Sequence, residues 1–276
     1  MLGLPEFNGD IESRDRKHAA PLHPRSTRGS RRLTDFRGRR PTTSAPLILA
    51  LDSAGSACAA AVAVGERLLA VKHQEMMHGQ AEALLPLIDD TVRGAGLTAS
   101  RLDIVAVTTG PGSFTGIRVG IAAALGIALA ADLPLIGVTS FEAVVETVPS
   151  AARAGRHLLV ALESRRADLY VQFFDPTGQA LFEPAAILPE ALASAVDGVT
   201  ADTIVIAGDA AIRAATALDG RGGAAIAKSA LPPATGVLRV ALRRWQRGEG
   251  EAPVRPLYLR PPDVTMAKDR SPPVSR

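Results

Sequence analysis

The amino-acid sequence predicts an α/β fold of two lobes, each a mixed sheet flanked by helices. Two observations support this prediction. In the first half of the chain, three strand-like segments in a hairpin series precede an alternation of helices and strands. After Pro149 the same outline of elements recurs without a residue-level repeat, which indicates a duplicated fold.

The first lobe opens with apolar segments separated by glycine and serine turns. We predict strands at 47–53, 57–64 and 67–74. A helix is predicted next, at 79–93, and Pro86 either marks its true start or kinks it. One face of this helix is apolar and consists of Leu84, Leu85, Ile88 and Val92.

The rest of the first lobe alternates strand and helix. Strands are predicted at 104–108 and 135–138, and a long helix rich in Ala and Gly runs between them to about Ala131. Thr139 and Ser140 are suited to cap a further helix that continues through Val148.

The second lobe repeats this outline with shorter segments. Strands are predicted at 157–162, 168–175, 179–182 and 203–207. Helices are predicted near 189–196, after Gly208-Asp209, and at 235–247. Small residues between Leu218 and Pro233 predict a short or irregular connection.

The positive charge of the chain is concentrated at its N-terminus. The 276 residues carry a net charge of +3, and ten of the 31 Lys and Arg but five of the 28 Asp and Glu lie in residues 1–46. This segment has little to bury and is predicted to be disordered. It could bind RNA phosphates, serve as a targeting segment, or be upstream sequence from an early start codon; we interpret it as a dispensable extension.

These observations divide the chain into four parts. They are a disordered basic extension (1–46), a first lobe (47–149), a second lobe (150–250) and an extended or disordered tail (251–276). The lone cysteine, Cys58, cannot form an internal disulfide and is predicted to pack as a small hydrophobe. The longest apolar run, 119–131, is shorter than the roughly twenty residues that span a bilayer, so we expect a soluble, cytoplasmic protein with no membrane partner.

A glycine loop between the strand 104–108 and the long helix is a candidate anion site. Glycines let a backbone approach a ligand, and the first N–H groups of a helix attract negative charge. Gly110 and Gly112 supply that freedom, either Ser113 or Thr115 can cap the helix, and Arg118 could add a cation. The spacing matches neither of the common phosphate-loop patterns, so a turn whose glycines serve geometry alone is the alternative.

Five segments taken in order resemble the TsaB family, also called YeaZ. They are 47–53, 78–90, the loop GPGSFTGIR at 110–118, 133–140 and the PLYLR segment at 256–260. The resemblance implies the two-lobed actin-like, Hsp70-like and sugar-kinase-like fold, which is ribonuclease H-like in each lobe. It also implies a role in forming threonylcarbamoyladenosine beside the anticodon of tRNAs that read codons beginning with A.

The resemblance further implies that this chain is a non-catalytic subunit. Members of the family pair with TsaD, the ATP- and metal-dependent transferase subunit, and a small ATPase, TsaE, binds the pair. We therefore expect no catalytic residue and no tightly held cofactor here, with ATP and Mg²⁺ only at the partner complex, tRNA reached through that complex, and a homodimer when the chain is alone.

Departures from related catalytic proteins limit the candidate sites. His78 has no second histidine four residues later, and His73 and His78 lack a nearby carboxylate or thiol set, so no metal site is expected. Asp52 occupies the place where kinases of this fold hold a Mg²⁺-bound water, and with Ser53 it joins the nucleotide candidates. Glu163 stands where the family tends to have Asp, and the turn at Gly208-Asp209 lacks the richer glycines of kinases.

The long helix after the glycine loop predicts an interaction surface. It is apolar on every side, so one face should cover the chain's own sheet and another needs a different cover. The resemblance implies a helical bundle with TsaD or a second copy, built from this helix and the one at 79–93. The predicted interface residues are Leu84, Leu85, Ile88, Gly116, Gly120, Ala123 and Ile127. Small residues of the long helix would let another helix approach closely: Gly116, Gly120, Ala122, Gly126 and Ala130.

Two alternative functions stay open on the sequence alone. An ATP-dependent phosphotransferase of the sugar- or acetate-kinase kind would use Asp52 on Mg²⁺ and the glycine loop on phosphate, and it would turn over nucleotide alone. An RNA-binding accessory protein would act through residues 1–46 and lose affinity steeply with salt.

Overall fold

Two five-stranded sheets form the centre of the fold in this computed structural model, which describes residues 45–196, 204–218, 225–226, 233–249 and 253–260. The predicted extension at 1–46 therefore lies almost entirely outside the described residues. The first sheet contains β1 Leu47–Asp52, β2 Ala57–Val64, β3 Arg67–Glu75, β4 Ile104–Thr108 and β5 Leu135–Val138. The second contains β6 His157–Glu163, β7 Leu169–Phe174, β8 Ala185–Ile187, β9 Ile204–Ala207 and β10 Ala225–Ile226.

Seven α-helices within the described residues flank these sheets. They are α1 Gln80–Gly94, α2 Phe114–Ala131, α3 Ser140–Thr147, α4 Ser150–Arg153, α5 Pro189–Ala195, α6 Ala211–Ala217 and α7 Pro233–Gln246. Helix α3 begins at a capping box, as the sequence predicts: Thr139 Oγ1 accepts a hydrogen bond from Glu142 N, and the Glu142 carboxylate accepts one from Thr139 N.

The two sheets have the same topology. Their strand orders are β3-β2-β1-β4-β5 and β10-β9-β6-β7-β8. Read in reverse, the second order is β8-β7-β6-β9-β10, so each strand of the second lobe has the same place in its sheet as its counterpart in the first. In each, a three-stranded antiparallel meander is extended by parallel strands on the other side. The predicted duplicated α/β fold, with a mixed sheet flanked by helices in each lobe, is thereby confirmed.

Both faces of each sheet are apolar, and helices cover them in layers. Helices α1 and α2 cover one face of the first sheet, and α7 covers the other with part of α3. The rest of α3 packs on the second sheet through Phe141 and Val145, and α5 and α6 close that sheet's far face. Helix α3 thus lies between the lobes and contacts both.

Helix α1 matches its predicted range, and it begins at Gln80 rather than at the alternative start near Pro86. The structure corrects two other predicted elements. Helix α7 falls within the predicted second lobe, 150–250, but its buried face packs on the first sheet, since Val237 and Val240 join that core. The third strand of the second lobe is Ala185–Ile187, whereas the predicted segment 179–182 contributes an isolated bridge from Ala180 to Phe174.

Cys58 lies fully buried on β2, in the core between the first sheet and α1. Burial raises the pKa of its thiol, and the nearby charge of Asp52 adds to the effect. The predicted role as a small hydrophobe is confirmed.

Candidate functional site

The glycine loop is held by the chain's own backbone on three sides. Thr109 N donates to Val138 O at 2.8 Å, Ser140 N donates to Gly110 O at 2.8 Å, and Ser113 N donates to Ala54 O at 2.7 Å. Ser113 is the N-cap of α2, and its hydroxyl accepts a hydrogen bond from Gly116 N at 3.3 Å. Of the two predicted caps the structure uses Ser113, and the loop is bonded to β5, to the start of α3 and to the β1–β2 turn.

Glycines in this region make room for the β1–β2 turn. A Cβ atom at Gly112 or Gly116 would lie well inside van der Waals contact of the carbonyl oxygens of Ala54 and Ser53, respectively. At Gly120 it would lie 2.6 Å from Ser53 Oγ. The space that a phosphate would need on this side of the loop is therefore filled by protein, which favours the geometric interpretation of these glycines.

Asp52 and Ser53 lie beside the loop but point into the lobe. Asp52 is 4% exposed and accepts hydrogen bonds from Thr108 Oγ1 at 2.5 Å and Ala54 N at 3.3 Å. Burial raises its pKa, while those hydrogen bonds and the charge of His73 oppose the rise and Asp209 adds to it. Ser53 donates to Gly116 O at 2.8 Å. The candidate nucleotide residues Asp52 and Ser53 thus lie close to the glycine loop, but their side-chain oxygens form hydrogen bonds with other groups of the chain.

Arg118 belongs to a different group of side chains. Its guanidinium lies 3.7 Å from the centre of the Phe114 ring, and its Nε donates to Tyr258 Oη at 3.0 Å. The rings of Phe114 and Tyr258 are 5.1 Å apart. The first turn of α2 is therefore linked to the chain's C-terminal segment, a contact that only the tertiary structure could bring about.

A cleft of about 400 Å³ lies between the lobes, next to this group. One wall is the glycine loop with the start of α2, and the other is the β6–β7 turn, 163–166. Residues 257–260 and Tyr170 complete it. The lining contains three arginines, Arg165, Arg166 and Arg260, and one carboxylate, Glu163. This charge balance favours an anionic ligand over a cation.

The β6–β7 turn is held by a network around Arg213 of α6. Its guanidinium forms an ion pair with Glu163 and donates to the carbonyl oxygens of Ala167 at 2.9 Å and Arg166 at 3.3 Å. Arg165 adopts a left-handed backbone with φ of 62°. Sequence reasoning noted Glu163 but missed Arg213 and Tyr258, because their partners lie about 50 and 140 residues away along the chain.

The predicted interface residues divide into buried and exposed sets. Leu84, Ile88, Gly116 and Gly120 are buried within their own lobe, so a partner could not contact their side chains directly. Ala123 and Ile127 are half-buried. Leu85 is 56% exposed and does not share the buried face of Leu84 and Ile88, contrary to the prediction of a single face.

Helix α2 exposes three of the small residues that were predicted to allow a close approach, next to two leucines that the prediction did not name. Leu125 and Leu129 are one turn apart and exposed, with Leu129 at 73%. Beside them is an exposed row of small residues: Ala122, Gly126 and Ala130. We define this surface, together with Leu85 of the neighbouring α1, as the α2 face. No charged side chain occurs between Arg118 and Asp132, so a large apolar surface is left without cover in the described part of the chain.

The same helix is long and apolar enough to cross a membrane, by length and composition. Its 18 residues have a mean hydropathy of 1.8, and 28% of them are buried. However, α2 connects β4 and β5, neighbouring strands of one sheet, and its buried residues pack on that sheet. A helix so placed lies along its own lobe, so its exposed side requires a covering surface rather than a bilayer on all sides.

Comparison with known proteins identifies similar sequences and structures. The family described as TsaD, tRNA N6-adenosine threonylcarbamoyltransferase, matches residues 58–228. The tRNA threonylcarbamoyladenosine biosynthesis protein TsaB of Haemophilus influenzae is 33% identical over 124 residues, 45% of this chain and 51% of that protein. The protein of the same name from Escherichia coli is 34% identical over 124 residues, 45% of this chain and 52% of that protein. This chain thus spans about half the length of these curated relatives.

A solved structure supports the same relationship over more of the chain. YeaZ from Pseudomonas aeruginosa superposes with a TM-score of 0.63 and 27% identity, covering 78% of this chain and all of that one.

Proposed function

Because this chain belongs to the family described as TsaD, tRNA N6-adenosine threonylcarbamoyltransferase, we propose that it acts in forming threonylcarbamoyladenosine in tRNA. Its resemblance to TsaB (YeaZ) is confirmed by the curated relatives and by the solved structure. Within that pathway we assign it an accessory role: it pairs with a TsaD-like transferase, and a TsaE-like ATPase binds the pair. The modified site is the adenosine beside the anticodon of tRNAs that read codons beginning with A, reached through the complex in the cytoplasm.

The observation that supports pairing is the α2 face. Fully burying a leucine side chain stabilises an assembly by about 1.5–3 kcal/mol, so exposed Leu85, Leu125 and Leu129 together represent a considerable driving force. The small residues Ala122, Gly126 and Ala130 allow another helix to approach closely. An apolar helical surface on the transferase subunit is the partner that fits, and a second copy of this chain fits when it is alone.

The non-catalytic assignment is supported by the state of the candidate nucleotide residues. A phosphotransferase needs a carboxylate that can reach Mg²⁺ and backbone N–H groups that can reach phosphate. Asp52 is buried against Thr108 and Ala54, and the glycine loop is packed on the β1–β2 turn. The arrangement supports a structural use of these residues over the kinase alternative.

Reconstitution of the tRNA modification tests this proposal. Threonylcarbamoyladenosine would be measured in reactions containing a TsaD-like transferase, a TsaE-like ATPase and an enzyme that supplies threonylcarbamoyl-adenylate, with and without this chain. We expect formation to require the chain, while the chain alone hydrolyses no ATP. If the chain turned over ATP alone and modification proceeded equally well without it, the kinase alternative would replace this proposal.

A pair of matched variants tests the interface. Leu129→Asp places a charge on the α2 face, and Ile212→Asp places the same charge on α6 of the second lobe, at nearly equal exposure, 73% against 72%. We expect Leu129→Asp to abolish co-purification with the transferase and Ile212→Asp to leave it unchanged. Equal behaviour of the two variants would contradict the assigned surface, and circular dichroism would verify that both are folded.

A further inference from the structure

Residues 253–260, which we call the C-terminal strap, return from α7 and run past both lobes. Val254 packs into the core of the first lobe, close to Gly137 on β5. Leu257 N donates to Thr109 O at 2.7 Å, just before the glycine loop. The start of the strap is therefore attached to the first lobe through backbone and apolar contacts.

The middle of the strap is attached to the first turn of α2. Tyr258 lies against the Phe114 ring, and its hydroxyl accepts the hydrogen bond from Arg118 Nε at 3.0 Å. This contact joins the strap to the helix that bears the α2 face.

The end of the strap is attached to the second lobe. Leu259 packs against the core that α3 shares with β6 and β7. Arg260 Nε lies 2.8 Å from Asp168 Oδ2, and Asp168 is only 1% exposed. The other carboxylate oxygen of Asp168 accepts a hydrogen bond from Ser164 Oγ at 2.9 Å. A buried carboxylate of the second lobe is thus neutralised by a cation that the strap delivers across the cleft.

We propose that the C-terminal strap is a clamp that holds the two lobes at a fixed separation and so sets the width of the cleft. Its two attachments lie on opposite walls: Tyr258 on the α2 side and Arg260 on the side of the β6–β7 turn. Both residues line the cleft, so movement of either attachment changes the opening directly. Because only Leu259 lies between Tyr258 and Arg260, the strap has little slack to absorb such movement.

Distance measurements between the lobes test the clamp. Spin labels would be attached to cysteines at Glu66, in the exposed β2–β3 turn, and at Ser194, on the exposed side of α5, in the full chain carrying Cys58→Ala. Arg260→Met removes the Asp168 contact. Arg255→Met is the matched control, since it makes the same change at an exposed position of the same strap.

We expect Arg260→Met to shift the distance distribution to longer values and to broaden it, while Arg255→Met reproduces the parent distribution. Since Arg260→Met leaves a buried carboxylate without its cation, the double variant Asp168→Asn with Arg260→Met removes that charge and keeps the clamp open. If the double variant, or a folded Arg260→Met, gives the parent distribution, the clamp is refuted. The measurement uses the isolated chain, so its outcome is independent of the proposed tRNA modification.

Discussion

The two lobes share one sheet topology but differ in the helix that comes after their fourth strand. In both, a glycine turn packs on a carbonyl near the end of the lobe's first strand: Gly112 on Ala54, and Gly208 on Ala161. The next helix is the 18-residue apolar α2 in the first lobe and the seven-residue α6 in the second, where Arg213 holds the β6–β7 turn. A shared scaffold thus presents an apolar face on one side and a charged cleft wall on the other.

The acidic residue at the end of the first strand has different surroundings in the two lobes. Asp52 is buried and bonded to uncharged donors, whereas Glu163 is about one-third exposed and paired with Arg213. Burial without a countercharge raises the pKa of a carboxyl group, and a partly solvated ion pair is screened by water and salt. Equivalent positions in a duplicated fold therefore hold an acid in different ways, by neutral hydrogen-bond donors in the first lobe and by an ion pair in the second.

The largest effect is expected from adding one methyl group where the first turn of α2 meets the β1–β2 turn. Gly116→Ala forces its Cβ against Ser53 O and should lower the free energy of unfolding by about 3 kcal/mol, the upper end for overpacking. Gly126→Ala on the same helix has open space around it and should raise the free energy by about 0.5–1 kcal/mol. Urea denaturation of both variants measures the difference, and equal stabilities would show that the close approach is not needed.

The comparison of the two acids leads to a pH test. The pKa of Asp52 is raised above its ordinary 3.8, so its contribution to stability is complete below that value and is lost as pH rises through the raised pKa. We expect Asp52→Asn, which keeps an oxygen for Thr108 and Ala54, to be more stable than the parent at pH 8 and to lose this advantage near pH 4. Urea denaturation between those pH values would refute the assignment if the difference did not change.

Helix α3, which packs between the lobes, offers a smaller perturbation. Thr139→Ala removes the hydroxyl that accepts the hydrogen bond from Glu142 N, and it should lower the free energy of unfolding by about 1 kcal/mol. Because α3 contacts both sheets, tryptophan fluorescence of Trp245 on α7 and far-ultraviolet circular dichroism should report the same loss. Thr139→Ser, which retains the hydroxyl, is the control. If Thr139→Ala left the free energy of unfolding unchanged, the capping box would not contribute to stability and packing alone would hold α3.

The smallest effect is expected at the second lobe's acid. Glu163→Gln weakens the partly exposed pair with Arg213 and should cost about 0.5 kcal/mol, an amount that decreases with added salt. The Asp52→Asn difference should depend less on salt, since Asp52 is buried and its hydrogen-bond donors are uncharged. Denaturation at low and high sodium chloride compares the two. If added salt changed the effect of Asp52→Asn more than that of Glu163→Gln, the contrast drawn between the two acids would be wrong.

Local signals in the sequence predicted much of the fold correctly. The hairpin of β2 and β3, the short strand β5 and the cap at Thr139 match their predictions, because alternation, turn residues and capping depend on neighbouring residues. The strand β8 was misplaced, since the short segments 179–182 and 185–187 have similar apolar character and only pairing with β7 selects between them.

The candidate site was less predictable because its residues come from distant parts of the chain. The glycine loop, Asp52, Ser53 and Arg118 were found from local pattern, and they do lie together. Their use within the lobe was not visible in the sequence, since a glycine that accommodates a ligand and one that accommodates a carbonyl look alike. The exposed leucines of α2 were similarly hidden, because every side of that helix is apolar and periodicity could not select one.

The sequence by itself determined the duplicated order of elements, the caps and the presence of an uncovered apolar helix, because each follows from residues a few positions apart. Only the tertiary structure decided that α7 returns to the first sheet, that Arg260 reaches buried Asp168, and that Leu129 rather than Gly120 faces outward. These outcomes depend on which surfaces come into contact once the chain has crossed between the lobes. Burial of apolar surface and pairing of opposite charges determine those contacts, and the residues involved are too far apart in sequence for a local pattern to reveal them.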